Sequence, residues 1–407
     1  MERVILHCDL NNFYASVECL RHPELAGKPL AVSGNPRTRT GIILAKNTLA
    51  KSMGVQTGDV IWKARQKCPD LICVAPHHEE YAIYSKKVRD IYLRYTDKVE
   101  PFGLDECWLD VTHSTKLFGS GKQIADTLRK TIKEELGLTI SVGVSFCKMF
   151  AKLGSDLKKP DATTEITKEN FKDIVWKQPA NALMFVGRRR NEVLKKLNII
   201  TCKDLAMADE KVLSHYFGVG GKEIIDIANG KDVTEVASFD DNTAIKSIGN
   251  GTTAIHDITT EEDFRKIAYF LCDSISGRMR KKSLCGSTIT LSIRDSGLKW
   301  VSFSKTYPSP ICHTKDLFDC VMKIYKANWK TGTPIRSMRV ACSNLLSDDF
   351  DRQLDLFSTA QKDTKKTNEE QSIDKIREKY GSFGIQKALL LNTNDLIRTV
   401  DDDEFYW

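Results

Sequence analysis

Metal-binding cysteine patterns are missing. The 407-residue chain holds 12 cysteines, yet it has no C-x-x-C pair and no Cys/His group at zinc spacing, which excludes zinc-ribbon and zinc-finger chemistry. The cysteines are scattered, most in apolar runs such as those around Cys8, Cys107 and Cys342. They read as small buried hydrophobes of a reducing compartment, not as a disulfide framework. Long hydrophobic runs are missing too: none approaches the ~20 apolar residues of a membrane span. Residues 1–9 are too short and too soon charged for a signal peptide. A soluble, cytoplasmic protein with no membrane partner is expected.

What is present is a composition able to build cores, 41% apolar and 28% charged, in a chain long enough for about three domains. The net charge of +7 is unevenly spread. From Ser347 onward there are 14 acidic and 9 basic residues, a net of −5, leaving 52 basic against 40 acidic, +12, over the rest. A basic body with an acidic tail suits a polyanion-binding body and a separate interaction tail.

The chain is organised around Phe102-Gly103-Leu104-Asp105-Glu106-Cys107-Trp108-Leu109-Asp110-Val111. Residues 99–102 and 107–111 read as two strands, with Gly103 supplying the turn. Successive strand residues face opposite ways, so Asp105 and Glu106 share a site only where the backbone bends. Residues 3–9 form a short, mostly apolar run ending in Asp9. With the strand ends side by side, three carboxylates converge, as a pair of hard divalent cations requires. Taken alone, each part also fits a solvated corner or a helix cap.

In Leu10-Asn11-Asn12-Phe13-Tyr14, Asn11 or Asn12 can cap a helix starting near Phe13. Its free N–H groups suit phosphate; Phe13 and Tyr14 fit a core equally well. Residues 11–77 form a small lobe with strands at 29–33 and 42–45, a basic loop carrying Arg37 and Arg39, and helices near 47–53 and 61–68. The order that follows is helix 78–95, the acidic hairpin, helix 121–136, strand 138–145 and a lysine-rich helix 148–157. It predicts a split β-α-β sheet with helices on one face. Residues 171–238 read as all helix, with glycine opening two of the helices (Gly187 and Gly218 to Gly221), a form that brings backbone amides to a DNA phosphate. After a polar linker near 238–242, residues 243–346 make a module in which Thr288, Thr290, Ser292 and Arg294 alternate with Ile289, Leu291 and Ile293. A hydroxyl-and-arginine face fits sequence-independent contact with a phosphate backbone, or plain solvation. The tail reads mostly as linker, with a weak helix at 372–380 and one apolar spot, Gln353-Leu354-Asp355-Leu356-Phe357.

These residues, in this order and spacing, resemble the Y-family (translesion) DNA polymerases, in the bacterial DNA polymerase IV branch. The carriers are Asp9-Leu10-Asn11-Asn12-Phe13-Tyr14-Ala15-Ser16-Val17-Glu18, Leu104-Asp105-Glu106 with Leu109-Asp110-Val111, and Ser141-Val142-Gly143-Val144-Ser145. Ala151-Lys152-Leu153, Ser155-Asp156 and Lys159-Pro160 complete them. The likeness runs from residue 1 to 345 and returns at the 353–357 peptide. It implies an α+β multi-domain right hand: a ferredoxin-like palm (1–10 and 78–170), small fingers (11–77), a helix-hairpin-helix-like thumb (171–238), an α/β little finger (243–346) and a tail (347–407). It also implies low-fidelity, template-directed addition of deoxynucleotides to a primer 3′-OH, without proofreading, in translesion synthesis and DNA repair.

By the same resemblance, Asp9, Asp105 and Glu106 hold two Mg²⁺ ions with the Leu10 carbonyl as a further ligand, and Glu106 lies nearest the attacking hydroxyl. Tyr14 matches the steric gate against a ribose 2′-OH. Amides of Asn12, Phe13 and Tyr14, with Lys159, take the triphosphate, and Ile42 and Leu44 roof the nascent base pair. Thr48 and Lys51 stand where the family usually has a Tyr and an Arg, so a bidentate fork is replaced by a point charge; Arg37 or Arg39 is a candidate to compensate. At Val186-Gly187-Arg188-Arg189-Arg190 a second glycine is common in the family, which shifts DNA contact toward side-chain charge. Gln353, Leu354, Leu356 and Phe357 match the peptide that docks on the bacterial sliding clamp, with Leu356 and Phe357 as anchors. The implied partners are primer–template DNA, deoxynucleoside triphosphates and that clamp, met by a monomer. Two other readings stand beside this one. A non-catalytic DNA- and clamp-binding scaffold does not need all three carboxylates. A nucleotide cyclase has no use for glycine-turn helices or a clamp peptide.

Overall fold

β1 (Ile5–Leu10) is buried at every position, as the central strand of a covered sheet must be. The computed structural model describes residues 2–35, 41–239, 245–330, 332–348, 360–381 and 384–390. Arg37, Arg39 and the 353–357 peptide lie outside the described residues. The chain divides into two units, one mainly of Met1–Gly34 and Ile42–Asn242, the other mainly of Thr243–Glu404. No helix among the described residues is long and apolar enough to cross a membrane.

After β1 the first unit runs through α1 (Phe13–Arg21), β2 (Leu30–Ser33), β3 (Ile43–Lys46), α2 (Thr48–Ser52), α3 (Ile61–Lys67), β4 (Ile72–Val74) and α4 (His78–Tyr92). Next come β5 (Val99–Phe102), β6 (Glu106–Asp110), α5 (Thr115–Phe118), α6 (Gly121–Leu136), β7 (Ile140–Ser145), α7 (Lys148–Leu157) and β8 (Thr163–Ile166). It ends with α8 (Phe171–Ile174), α9 (Arg188–Lys196), α10 (Cys202–Ala206), α11 (Glu210–Phe217) and α12 (Val219–Ala228). The main sheet has the order β5-β6-β1-β7-β8, and a small sheet, β3-β2-β4, belongs to the inserted lobe.

The main sheet is covered on both faces, where the sequence predicted helices on one. Leu6, Cys8 and Leu10 pack with Val88 and Ile91 of α4 and Ile124, Leu128 and Ile132 of α6. The alternate residues Ile5, His7 and Asp9 face α7, whose Ala151 packs on Ile5 and Trp108. Gly143 sits beside His7 in the ladder, and a Cβ there would lie 1.8 Å from the Ala151 carbonyl oxygen. Lacking a side chain at that point, β7 lets the α7 backbone rest directly on the sheet.

Residues 231–238, expected as helix, instead run back without regular structure after α12. Val236 is buried against Ile5 and Trp108. Glu100 holds this strap in place: its carboxylate accepts from the Ala237 N–H (2.9 Å) and from buried Lys148 (2.7 Å to each oxygen).

The second unit comprises β9 (Ser247–Ile258), α13 (Glu261–Arg280), β10 (Leu284–Asp295), β11 (Trp300–Ile311), α14 (Thr314–Asn328), β12 (Ile335–Ser347) and α15 (Ala360–Tyr380). Its antiparallel sheet has the order β11-β10-β12-β9. Phe264 of α13 stacks on Tyr325 of α14 with ring centroids 3.7 Å apart, over Ile289, Leu291, Ile293 and Val340.

Two features here correct the sequence reading. Cys285 and Cys312 are joined in a disulfide, so these two are not plain buried thiols. The expected weak helix at 372–380 is the last part of a longer helix, α15. Arg280 holds it through Glu370 (3.0 Å) and Asp374 (2.7 Å), and Glu370 also accepts from the Thr314 N–H (2.8 Å) at the start of α14. Ion pairs, not an apolar stripe, dock α15, which is why periodicity understated it.

Candidate active site

The backbone positions that carry the three acids come together at neighbouring strand ends. Asp9 and Glu106 are direct partners in the antiparallel ladder of β1 and β6. The Leu10 N–H donates to the Asp105 carbonyl oxygen (3.0 Å), which ties the acidic turn to the end of β1. Gly103 makes that turn at φ +85°, a backbone conformation that side chains disfavour. Asn11 braces the position from below: its amide donates to Ser141 Oγ (3.1 Å), and its oxygen accepts from the Asp161 N–H (2.8 Å).

Lysines occupy the acid side chains. Lys159 Nζ lies 2.6 Å from Asp9 Oδ2 and 2.8 Å from Asp156 Oδ1. Lys152, from α7, reaches Glu106 Oε2. Among the described residues no three His, Cys, Asp or Glu side chains already ring a common point as a metal shell would. The donor set nevertheless fits a hard divalent cation: carboxylates on adjacent strand ends, a backbone carbonyl at Leu10, and two ammonium groups answering the demand for positive charge.

The acids titrate unequally. Burial raises the Asp9 carboxyl to about 6; Lys159 opposes this and the Glu106 charge adds to it. Burial and the neighbouring Glu106 charge also raise Asp105. Burial pushes Glu106 the same way, but hydrogen bonds from His7 and Lys152 outweigh it and bring the group down to about 2. Burial disfavours the Lys159 charge as well, and Asp9 and Asp156 more than offset it, so its ammonium is held firmly. Environments that split like groups in this way are typical of reactive sites.

The proposed nucleotide residues surround this point. Phe13 is a core residue, as one of its two readings had it, while Tyr14 is half-buried. The Tyr14 ring stacks on Tyr81 at 4.1 Å and 12°, and the Tyr81 hydroxyl donates to Glu18, a fully buried carboxylate 3.0 Å from His77 Nδ1. Burial, with the Asp105 charge as a second cause, raises the Tyr14 hydroxyl pKa. Asn12 precedes α1 at φ +50° and makes no side-chain cap; its amide donates to Thr48 Oγ1 (3.0 Å) instead. That bond ties Thr48, at the start of α2, to the start of α1, and Lys51 is exposed on α2. Ile42, just before β3, is 38% exposed and Leu44 is half-buried, with the intervening Ile43 fully buried. Of the three arginines after Gly187, Arg188 and Arg189 are exposed, whereas Arg190 closes the turn by donating to the Phe185 carbonyl (3.1 Å).

Sequence reasoning assigned no role to His7, Lys152, Glu18 or Tyr81. His7 carried a usable signal: it stands two residues before Asp9 on a strand, hence on the same face.

The chain matches the family model described as the impB/mucB/samB family over residues 8–156, and that family's C-terminal domain over residues 245–356. It is 44% identical to a DNA polymerase IV of Acetivibrio thermocellus across 98% of this chain and 100% of that one. It is 33% identical to DNA polymerase IV 1 of Bacillus subtilis across 97% and 94%. Among solved structures it is similar to a Y-family DNA polymerase chimera, Dbh-Dpo4(243-245)-Dbh, with TM-score 0.74, 24% identity, and 84% of this chain and 99% of that one covered. With such likeness running nearly end to end, the chain belongs to the Y-family DNA polymerases, in the DNA polymerase IV branch.

Proposed function

We propose that this DNA-directed DNA polymerase, an enzyme of translesion synthesis and DNA repair, extends a primer 3′-OH at the joined ends of β1 and β6. The observation that supports this most is the pairing of Asp9 with Glu106 across the ladder, with Asp105 tied alongside by its backbone. Asp9, Asp105, Glu106 and the Leu10 carbonyl would hold two Mg²⁺ ions. When bound, divalent ions make the 3′-OH a better nucleophile and neutralise charge on the triphosphate and leaving pyrophosphate.

The remaining work falls to the chain's own groups. Glu106 stays ionised at neutral pH, nearest the attacking hydroxyl. Lys159, released from Asp9, pairs with triphosphate oxygens as a point charge, beside the amides of Asn12, Phe13 and Tyr14 at the start of α1. Thr48 and Lys51 bound the same side. Tyr14, backed by Tyr81, leaves no room for a ribose 2′-OH, and Ile42 and Leu44 roof the base pair. The helices after Gly187 and Gly218, with the open face of the second unit's sheet, hold primer–template DNA through its backbone. Domain limits follow the family plan: palm 1–10 and 78–170, fingers 11–77, thumb 171–238, little finger 243–346 and tail 347–407. The enzyme acts as a cytoplasmic monomer, recruited to the sliding clamp by Gln353, Leu354, Leu356 and Phe357.

Primer extension tests this reading against a non-catalytic scaffold. Mg²⁺-dependent addition of deoxynucleotides is expected, with Glu106→Ala lowering kcat at least about 10³-fold; extension by that variant at the wild-type rate rejects the assignment. Deleting Leu356 and Phe357 is expected to reduce clamp-dependent product length while clamp-free extension holds. Equal product length with the clamp removes the docking proposal.

A further inference from the structure

One buried polar side chain in the core of β1 is explained by none of the roles above. His7 is fully buried in the middle of the strand, between Leu6 and Cys8, where an apolar residue would be more favourable. Its Nε2 lies 3.1 Å from Glu106 Oε2 and its Nδ1 2.8 Å from Ser155 Oγ on α7. The Trp108 ring meets it edge-on at 5.0 Å. Both ring nitrogens are thus used, and the ring is fixed from two elements.

We propose that His7 is a positioning residue for Glu106, setting the direction of that carboxylate before a divalent cation arrives. This rests on the reading of Glu106 as a catalytic carboxylate. A carboxylate only accepts, so Nε2 carries the hydrogen. In the neutral ring Nδ1 then accepts from the Ser155 hydroxyl, whose one hydrogen it shares with the Lys152 carbonyl oxygen 2.8 Å from the same Oγ.

Two donors compete for Oε2, and they differ in kind. Lys152 brings a full positive charge on a long flexible stem, so a cation settling among the carboxylates repels it. His7 donates through an N–H without needing a net charge, has two side-chain torsions, and is walled in by Trp108 and Ser155. His7 is the donor that stays. Among the described residues the hydrogen bonds to the Glu106 carboxylate all go to Oε2, which leaves the lone pairs of Oε1 for an incoming ligand. Close packing makes this possible: α7 carries Ser155 over His7 because Gly143 admits the α7 backbone, and a Cβ on Gly143 would lie 2.5 Å from the Ser155 nitrogen.

The test compares His7→Leu, His7→Gln and Ser155→Ala in the full chain. Mn²⁺ binding is measured by electron paramagnetic resonance on the complex with dideoxy-terminated primer and correct nucleotide, alongside kcat, KM and thermal midpoint. His7→Leu is expected to weaken Mn²⁺ binding about 10-fold and lower kcat about 10- to 100-fold, the range for losing a partner that orients a ligand, with nucleotide KM little changed. His7→Gln keeps an N–H at the Nε2 position and is expected to recover most of both. Ser155→Ala, which frees the ring, is expected to fall between. Wild-type Mn²⁺ binding and kcat in a folded His7→Leu overturns the proposal, as does a folded His7→Gln no better than His7→Leu. If His7→Leu does not fold, Ser155→Ala decides, and unchanged Mn²⁺ binding there overturns it. Glu106→Ala, run in parallel, separates the two levels. Full activity in that variant removes the reading of the site itself, whereas an inactive Glu106→Ala beside a fully active His7→Leu removes only the role of His7.

Discussion

The two large sheets of this molecule are built from similar parts and finished in opposite ways. The β5-β6-β1-β7-β8 sheet is covered on both faces, and the chemistry proposed for it is confined to the strand ends that carry Asp9, Asp105 and Glu106. Among the described residues the β11-β10-β12-β9 sheet is covered by helices on one face only. Its other face is ruled by paired hydroxyls, Thr288 with Thr306 (2.9 Å), Thr290 with Ser304 (2.8 Å) and Ser292 with Ser302 (2.8 Å), beside exposed Arg339. Gly249, Gly251 and Ala341 keep that face low. A point site concentrates charge at a cost in desolvation; a flat hydroxyl face spreads weak, interchangeable contacts along a backbone that repeats. Single changes should therefore be severe in the first sheet and graded in the second.

The largest effect is expected at Asp9. Asp9→Asn should reduce primer extension at least about 10³-fold, because it removes one of the acids that would hold the metal pair. It should also reveal the cost of the site in the metal-free protein. The Asp9 carboxyl sits at about 6 in the fold against an ordinary value of 3.8, so between those values the folded protein binds the proton more tightly than the unfolded chain. Stability from this group therefore falls as pH rises from about 4 to about 6 and stays lost above. Glu106, held at about 2, titrates below that window. In chelator, Asp9→Asn should melt above wild type at pH 7.5 and lose that advantage at pH 4. Mg²⁺ should raise the melting temperature of wild type at pH 7.5 and leave the variant unmoved. A variant that melts below wild type at pH 7.5 would show that Lys159, not desolvation, governs Asp9.

The backbone that brings these acids together is largely legible in the sequence. Apolar runs and a glycine turn locate β1, β5 and β6, and α7 runs from Lys148 to Leu157, where the sequence predicts a lysine-rich helix. What stays hidden has physical causes. β9 shows little alternation, because Gly249 and Gly251 stand where side chains would crowd Ala341 and Arg339; a Cβ at either meets those residues at 3.0 Å. Cys285 and Cys312 are 27 residues apart, and only the fold brings them together. The lysines on Asp9 and Glu106 come from α7 and the segment after it, and no local pattern pairs them with acids more than forty positions away. His7 is masked by its apolar neighbours; only the two-residue period of the strand sets it beside Asp9.

Glycines sharpen the contrast between covered and open faces. Gly143→Ala should be the harsher substitution, since the new Cβ would lie 1.8 Å from a backbone oxygen of α7 that cannot move alone. Displacing α7 carries Lys152 and Ser155 away from Glu106 and His7, so both stability, by about 3 kcal/mol or more, and extension rate should fall. Gly251→Ala meets its neighbours at 3.0 Å, led by the Arg339 Cβ on the open face. There the gain in chain stiffness, about 0.5–1 kcal/mol, offsets a small shift, and the melting temperature should stay within a few degrees. Equal losses at the two positions would mean that the second sheet is as tightly constrained as the first.

The smallest effects should come from the open face, and their form matters more than their size. Arg339 is exposed and directly beside Ser292 in the ladder. Arg339→Ala should therefore weaken primer–template binding and reduce the slope of log affinity against log salt by about one, as expected when one phosphate is no longer neutralised. Thr290→Val with Ser304→Ala removes one hydroxyl pair whose hydrogen bond is 2.8 Å. Neither group carries charge, so that double variant should leave the salt slope untouched and lower affinity no more than a few-fold at any salt. Both can be read from fluorescence anisotropy of labelled primer–template across a salt series, with kcat at saturating DNA as the control that the strand-end acids are undisturbed. A sheet that binds by backbone repetition predicts this separation: charge sets the slope, hydroxyls set a salt-independent offset, and neither reaches the chemistry. If removing the hydroxyl pair lowered kcat at saturating DNA as much as affinity, the open face would be positioning the primer end itself, and the division between a point site and a holding surface would fail at that strand.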